Sequence, residues 1–372
     1  MTELALTMRS WGQNWTRLLF QSFAAQWVFY VVPVLFLLTD AFFFSRLQHH
    51  YVAPFIEIVE VFVLVTLPIA LVVMLIGRIF HFALYIKPPS PLRALWQDIK
   101  YIFSNLSMVI TALPLVLALF LFNKAMLEMK PEIPHINPFH WDEFFLQLDR
   151  TLHFGVDPWR ILQPIMGFPI VTFVANLAYN FWFLALFGSW IWLAFERKPS
   201  ELRSRFFIAY MLIWWIGGGL LALAFSSAGP CYFGKLGLAT PDPYKDLMAY
   251  LYGVNDYLPI WALDTQNLLW DGYLGKSEAI GVSAFPSMHN GTAILFALTF
   301  RQISKGWGRF FTGYAILILL TSVHLGWHYA VDGYAAIIVS FACWWLAGPI
   351  ARYMHRQPAM QRYHESLAVQ PS

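Results

Sequence analysis

Eight long apolar runs, cut by short polar loops, limit what this chain can fold into. They lie at about 24–44, 58–83, 103–123, 168–195, 206–228, 285–302, 309–327 and 331–351. A helix needs roughly 20 mostly apolar residues to cross a bilayer. Lipid offers backbone polar groups no partner, so runs of this length are read as helices that satisfy their own N–H and C=O groups. The composition agrees: 59% of residues are hydrophobic and 12% charged, against about 45–50% and about 25% in a soluble domain. Aromatic residues gather at the ends of the runs, as interfacial belts do. The expected fold is an all-α, polytopic membrane bundle of about eight spans. A net charge of +3 gives no reason to expect a nucleic-acid partner. Cys231 and Cys343 are the two cysteines; the second sits mid-helix in an apolar run, so neither a disulfide nor a cysteine metal set is expected. The N-terminal segment has no small-residue cleavage site after a short apolar region, so no cleaved signal peptide is expected.

Lysine and arginine in the short loops orient such a bundle. Arg9 and Arg17 precede the first run, whereas the first loop holds Arg46 alone. Lys87, Arg93 and Lys100 fall in the second loop, Arg197, Lys198, Arg203 and Arg205 in the fourth, Arg301, Lys305 and Arg309 in the sixth, and Arg352, Arg356 and Arg362 in the tail. The bias alternates, which places both termini in the cytoplasm and the long loops 124–167 and 229–284 outside. Those loops carry acids such as Asp142, Glu143, Asp149, Asp157, Asp242 and Asp271.

Four regions follow: a tail with three spans at 1–123, an extracytoplasmic segment at 124–167, a core at 168–356, and a polar tail at 357–372 that is expected to be disordered. Within 135–167, apolar residues and charges mix, as in amphipathic helices lying in the interface. They could frame a lipid's path to the bundle or simply pack on its surface. Loop 229–284 is long enough to fold over a site as a lid. Asp40, Glu57 and Glu60 stand near span ends, where solvation is expected. Tyr329 reads as an interfacial anchor. Asn176, Tyr179 and Asn180 either line a cavity or bond between helices, the second being favoured.

Two stretches carry the chemistry. In His324-Leu325-Gly326-Trp327-His328-Tyr329-Ala330-Val331-Asp332-Gly333, His328 and Asp332 are four residues apart at the start of a predicted helix and so share one face. An aspartate there can fix the imidazole tautomer and leave the other nitrogen free to attack. In Phe285-Pro286-Ser287-Met288-His289-Asn290-Gly291, a predicted helix opens near His289. Its first N–H groups lack internal partners and suit an anion. Ser287 can cap that helix or donate to a phosphate oxygen, and His289 can act as a general acid. Charge bias puts both helix starts on the same outer face, because a cytoplasmic hairpin joins their helices.

Together these motifs resemble the second and third signatures of the type 2 phosphatidic acid phosphatase superfamily, Pro-Ser-Gly-His and Ser-Arg-x5-His-x3-Asp. Here they read Pro286-Ser287-Met288-His289 and His328-Tyr329-Ala330-Val331-Asp332, within a resemblance covering roughly 168–351. The resemblance implies a six-helix core in which His328 is the nucleophile that forms a phosphohistidine. Asp332 is then its orienting partner and His289 the general acid, with no metal or other cofactor. The chain departs from the pattern: Ser322 stands where arginine is expected, Met288 replaces glycine, and no Lys-x6-Arg-Pro precedes 285, Gly229-Pro230 having glycine for the arginine. These departures look like the inositol phosphorylceramide synthase and sphingomyelin synthase branch, and Leu148-Asp149-Arg150-Thr151-Leu152-His153-Phe154-Gly155 resembles a segment upstream of the core in the inositol branch.

Without the arginine, another cation should meet the phosphate. Lys235 and His324 are candidates, although the first can equally snorkel to the interface and the second can be structural. The expected activity is transfer of a phosphoryl or phospho-headgroup unit from a phospholipid or lipid-phosphate donor to an alcohol acceptor such as a lipid or polyol. With water as acceptor, the enzyme is a phosphatase. A transporter or scaffold built on the same bundle is the non-enzymatic alternative, and it needs neither histidine.

Overall fold

The computed structural model describes residues 15–45, 64, 67–277 and 281–368, and among these every regular element is helical. Six helices are long and apolar enough to cross a membrane: α1 (Trp15–Phe44), α4 (Leu106–Ile136), α7 (Pro169–Ala194), α8 (Glu201–Ala224), α12 (Lys305–His324) and α13 (Ala330–Arg356). Between them come α2 (Leu67–His81), α3 (Pro91–Ser104), α5 (Asp142–Leu152), α6 (Pro158–Met166), α9 (Lys245–Asn255), α10 (Trp261–Tyr273) and α11 (Met288–Phe300), and α14 (Pro358–Ala368) closes the chain. The expected spans at 58–83 and 285–302 correspond to α2 and α11. The first part of the former lies outside the described residues, as do Arg9, Arg46, Glu57 and Glu60; α11 has 13 residues, short for a crossing.

Helix starts follow the capping rules. Ser200, Ser287 and Ser304 accept from the backbone N–H three residues on, opening α8, α11 and α12. Outward faces are apolar: Leu38, Phe42, Ile338, Phe341 and Trp345 are exposed large side chains, as in helices that face acyl chains. Lipid is as apolar as leucine, so helices associate there through close packing and buried polar bonds rather than through escape from water. Accordingly α11 packs on α12 and α13, α8 on α13, and α1 on α4. Fully buried Arg203 donates to Gln26 Oε1 at 2.8 Å and to the carbonyl of Thr111 at 3.2 Å, tying α8 to α1 and α4.

Three expectations are corrected. The third span does not end near 123: α4 continues to Ile136, its added charges accommodated in part by a Lys124–Glu128 pair one turn apart. Residues 358–368 are not disordered but form α14, in which Met360 and Tyr363 are fully buried and the Tyr363 hydroxyl lies 2.7 Å from Thr111 Oγ1. Asp40 is not solvated at a span end but 2% exposed.

Candidate active site

Ser287 is the N-cap of α11, and its hydroxyl accepts from Asn290 Nδ2 at 2.9 Å. Asn290 Nδ2 also donates to Ser322 Oγ at 3.2 Å. The carbonyl of Ser322 in turn accepts from the backbone of Trp327 and His328, at 3.0 and 3.2 Å. The start of α11, the end of α12 and the turn before α13 are thereby held as one unit. A direct bond closes it: the Ser287 N–H donates to the Asp332 carbonyl at 3.1 Å.

His328 Nδ1 lies 3.2 Å from Asp332 Oδ2, and the same oxygen accepts from the Tyr329 N–H at 3.1 Å. Asp332 is fully buried. With Asp332 as a carboxylate, which only accepts, Nδ1 carries the proton and Nε2 keeps its lone pair. Burial holds the His328 pKa down to about 3, assisted by the charge of Lys130 and opposed by a backbone bond to Ala284. The ring is therefore neutral at physiological pH, the state a nucleophile needs.

His289 packs against three aromatic rings of α7: Tyr179 stacked at 4.5 Å, Trp182 at 4.2 Å and Phe183 edge-on at 5.9 Å. His289 and His328 line one cavity of about 440 Å³. From them it runs along three helices, past Lys130, Leu127, Asn123, Phe120 and Val116 on α4, Tyr179 to Trp190 on α7, and Trp214 and Tyr210 on α8. On α4 these residues span fourteen positions, about 21 Å at 1.5 Å per residue. Ala262, Thr265 and Leu269 of α10, with residues 281–284, cover the histidine end. Among the described residues Lys130 is the one lysine or arginine in the cavity wall, and its charge reaches both histidines.

Two glycines set this geometry. A Cβ at Gly281 would stand 2.5 Å from Pro131 Cα and 2.7 Å from the Lys130 carbonyl, so the backbone at Gly281 lies directly on α4. Gly229 has φ +102°, and a Cβ there would stand 2.8 Å from the Trp327 carbonyl. Glycine meets both the dihedral and the contact at little cost.

Helix α5 braces the whole. Asp149 accepts from the N–H groups of Ala330 and Val331, at 2.9 Å each, and so caps α13 from outside that helix. Burial raises its carboxyl to about 7, although those two backbone bonds pull the other way. Asp142 accepts from Ser227 Oγ, the N–H groups of Ala228 and Gly229, and the Tyr329 hydroxyl, at 2.8–3.0 Å. Phe145 stacks on Phe285 with centroids 4.5 Å apart. Arg150 pairs with Asp157, and His153 Nε2 meets the Tyr334 hydroxyl at 2.9 Å.

Of the residues singled out from sequence, His328, Asp332 and His289 come together. Ser287 is fully buried, caps its helix and is not among the cavity-lining residues. His324 is also fully buried, its Nε2 2.9 Å from Thr172 Oγ1, and does not line the cavity. Lys235 is exposed over the rings of Tyr232 and Trp270, at 5.5 and 5.3 Å; Tyr232 lines the cavity but Lys235 itself does not. Tyr329 is 1% exposed rather than an interfacial anchor. Tyr179 and Asn180 line the cavity, against the favoured expectation, whereas Asn176 bonds between segments, accepting from Ala262 N at 3.2 Å. Lys130, Asp142, Asp149 and Asn290 also stand at the site, with no local sequence signal that marks them. Among the described residues, no three His, Cys, Asp or Glu side chains are arranged to hold a metal ion.

A family model described as PAP2 superfamily matches residues 143–346. No curated protein and no solved structure matches the chain.

Proposed function

The chain belongs to the PAP2 superfamily, an integral membrane protein of phosphatase or phosphotransferase type, and from that premise we propose that it moves a phosphoryl or phospho-headgroup unit between lipid-borne oxygens through a phosphohistidine. In this reading His328 Nε2 attacks the lipid phosphorus, the P–O bond to the leaving alcohol breaks, and His289 gives that alcohol its proton. An acceptor hydroxyl, deprotonated by His289, then attacks phosphorus and breaks the N–P bond. Asp332 holds the His328 tautomer and balances the charge that develops on the ring. Ser287 supports the site as the cap of α11.

The observation that carries this reading is the shared cavity: two imidazoles at one end, one of them backed by a buried aspartate, and an apolar trough leading away between α4, α7 and α8. Such a trough suits the chain of a lipid whose headgroup lies at the histidines. The inositol phosphorylceramide synthase-like assignment stays within this proposal and makes the acceptor an alcohol; water as acceptor gives a lipid-phosphate phosphatase.

The basic side chains Arg197, Arg205, Arg301, Arg352 and Arg356 lie at or beyond the helix ends opposite the histidines. By the positive-inside rule, this supports a site on the extracytoplasmic face with both termini in the cytoplasm.

The test incubates purified protein with candidate phospholipids, lipid alcohols and polyols, and follows products by mass spectrometry. The proposal expects a new phospholipid, an acid-labile phosphate on the His328 peptide, and no turnover in His328→Ala. Undiminished turnover in that variant would overturn it.

A further inference from the structure

We propose that Lys130, on a helix that precedes the family-matched segment, is the cation that holds the substrate's phosphate anion at the two histidines. This rests on the reading of the cavity as a lipid-phosphate site.

A phosphate brought into an apolar cavity leaves its hydration behind, so a fixed cation must take over. Polar neighbours alone serve poorly here: apart from Lys130, the cavity wall contains no lysine or arginine among the described residues. The ammonium of Lys130 makes no hydrogen bond or ion pair among the described residues, so its charge is available to a ligand. Placement ties it to the reacting groups. Backbone 281–284 lies on Lys130 and Pro131 at Gly281, and three residues later Ala284 reaches the His328 ring. Lys130 thus stands one short segment from His328, and its charge is felt at both His289 and His328.

The same α4 face continues inward from Lys130 as Leu127, Asn123, Phe120 and Val116. One helix therefore offers a cation at its outer end and a mainly apolar stripe below it, the pattern of an anionic amphiphile lying head outward. His324 is bonded to Thr172 and does not line the cavity, and Lys235 is exposed over Trp270 and the cavity-lining Tyr232 without lining the cavity itself.

The experiment uses the full chain purified in detergent, as wild type, Lys130→Gln, Lys130→Met, Lys130→Arg and the exposed control Lys276→Gln. The probes are dioleoyl phosphatidic acid and its uncharged counterpart, dioleoylglycerol. Turnover gives kcat and KM for the phosphatidic acid. Thermal shift in a His328→Ala background reads binding without turnover. The inference expects Lys130→Gln and Lys130→Met to raise KM at least tenfold and to lose the preference for the phosphate-bearing lipid in the binding measurement. Lys130→Arg should stay within about threefold of wild type and Lys276→Gln should match it. Equal KM and equal preference in wild type and both neutral variants would overturn the inference, and so would a wild type that binds the two lipids equally. A wild type that prefers the phosphatidic acid through Lys130 yet neither hydrolyses nor transfers it would sink the enzymatic reading and leave the Lys130 assignment standing.

Discussion

The N–H of Ser287 donates to the carbonyl of Asp332, at 3.1 Å. Through this bond, residues 45 positions apart fix the start of α11 against the start of α13, and with it the imidazole of His289 against the His328–Asp332 pair. A side-chain change at 287 leaves that bond in place, which separates the cap from the tie.

Asp332→Asn should keep the fold and lower kcat by about 10³–10⁴-fold, by analogy with the loss of tautomer control in other histidine–aspartate pairs. The amide can donate to Nδ1 and so favours the tautomer with its proton on Nε2. Steady-state kinetics checks this; a loss under tenfold would show that Asp332 does not set the tautomer.

Replacing His289 by Gln removes the general acid and base and should reduce kcat by about 10²–10⁴-fold. Donors with a good leaving group, such as a p-nitrophenyl phosphodiester, need that proton least. The variant should recover most of its rate on them, and an equal deficit on both donor types would count against the role.

Asp149→Ala leaves the Ala330 and Val331 N–H groups without their acceptor and should cost about 1–3 kcal/mol. The pH dependence has a definite sign. The Asp149 carboxyl rises from its ordinary 3.8 to about 7 in the folded chain, so between those values the folded state binds the proton more tightly. Its contribution to stability is full below about pH 4 and is lost as pH rises to about 7. Melting curves should therefore show the gap between wild type and Asp149→Asn narrowing in wild type's disfavour as pH climbs through that window; a gap independent of pH would refute the assignment.

Gly281→Val puts side-chain atoms where Pro131 Cα already lies within 2.5 Å of an ideal Cβ. The backbone at residue 281 must lift off α4, and a displacement of about 1 Å in such a site can cost 10²-fold in rate. The expected phenotype is a folded protein with kcat/KM lowered by roughly that factor, measured beside a melting temperature to confirm folding.

The spans and the two motifs were legible because each rests on short-range pattern: a run of apolar residues, a histidine four positions from an aspartate, a serine before a helix. What sequence could not supply was long-range pairing. Asp142 and Asp149 read as outward acids, and nothing local reveals that their acceptors serve donors at 227–229 and 329–331. Lys130 is hidden for a related reason. Hydropathy falls after Phe122, where Lys124, Glu128 and Lys130 begin, so pattern alone ends the third span too soon and makes a loop of its last turns. The tail erred the same way, because the charges of α14 hid a face carrying Met360, Tyr363 and Leu367, all buried.

Because α4 forms one side of the cavity and precedes residue 143, a chain trimmed to the family-matched stretch would hold both histidines and Asp332 yet leave the trough unwalled along that side. Bilayer lipid would flow into the breach and compete with substrate. The smallest piece able to work unaided must therefore begin upstream of α4.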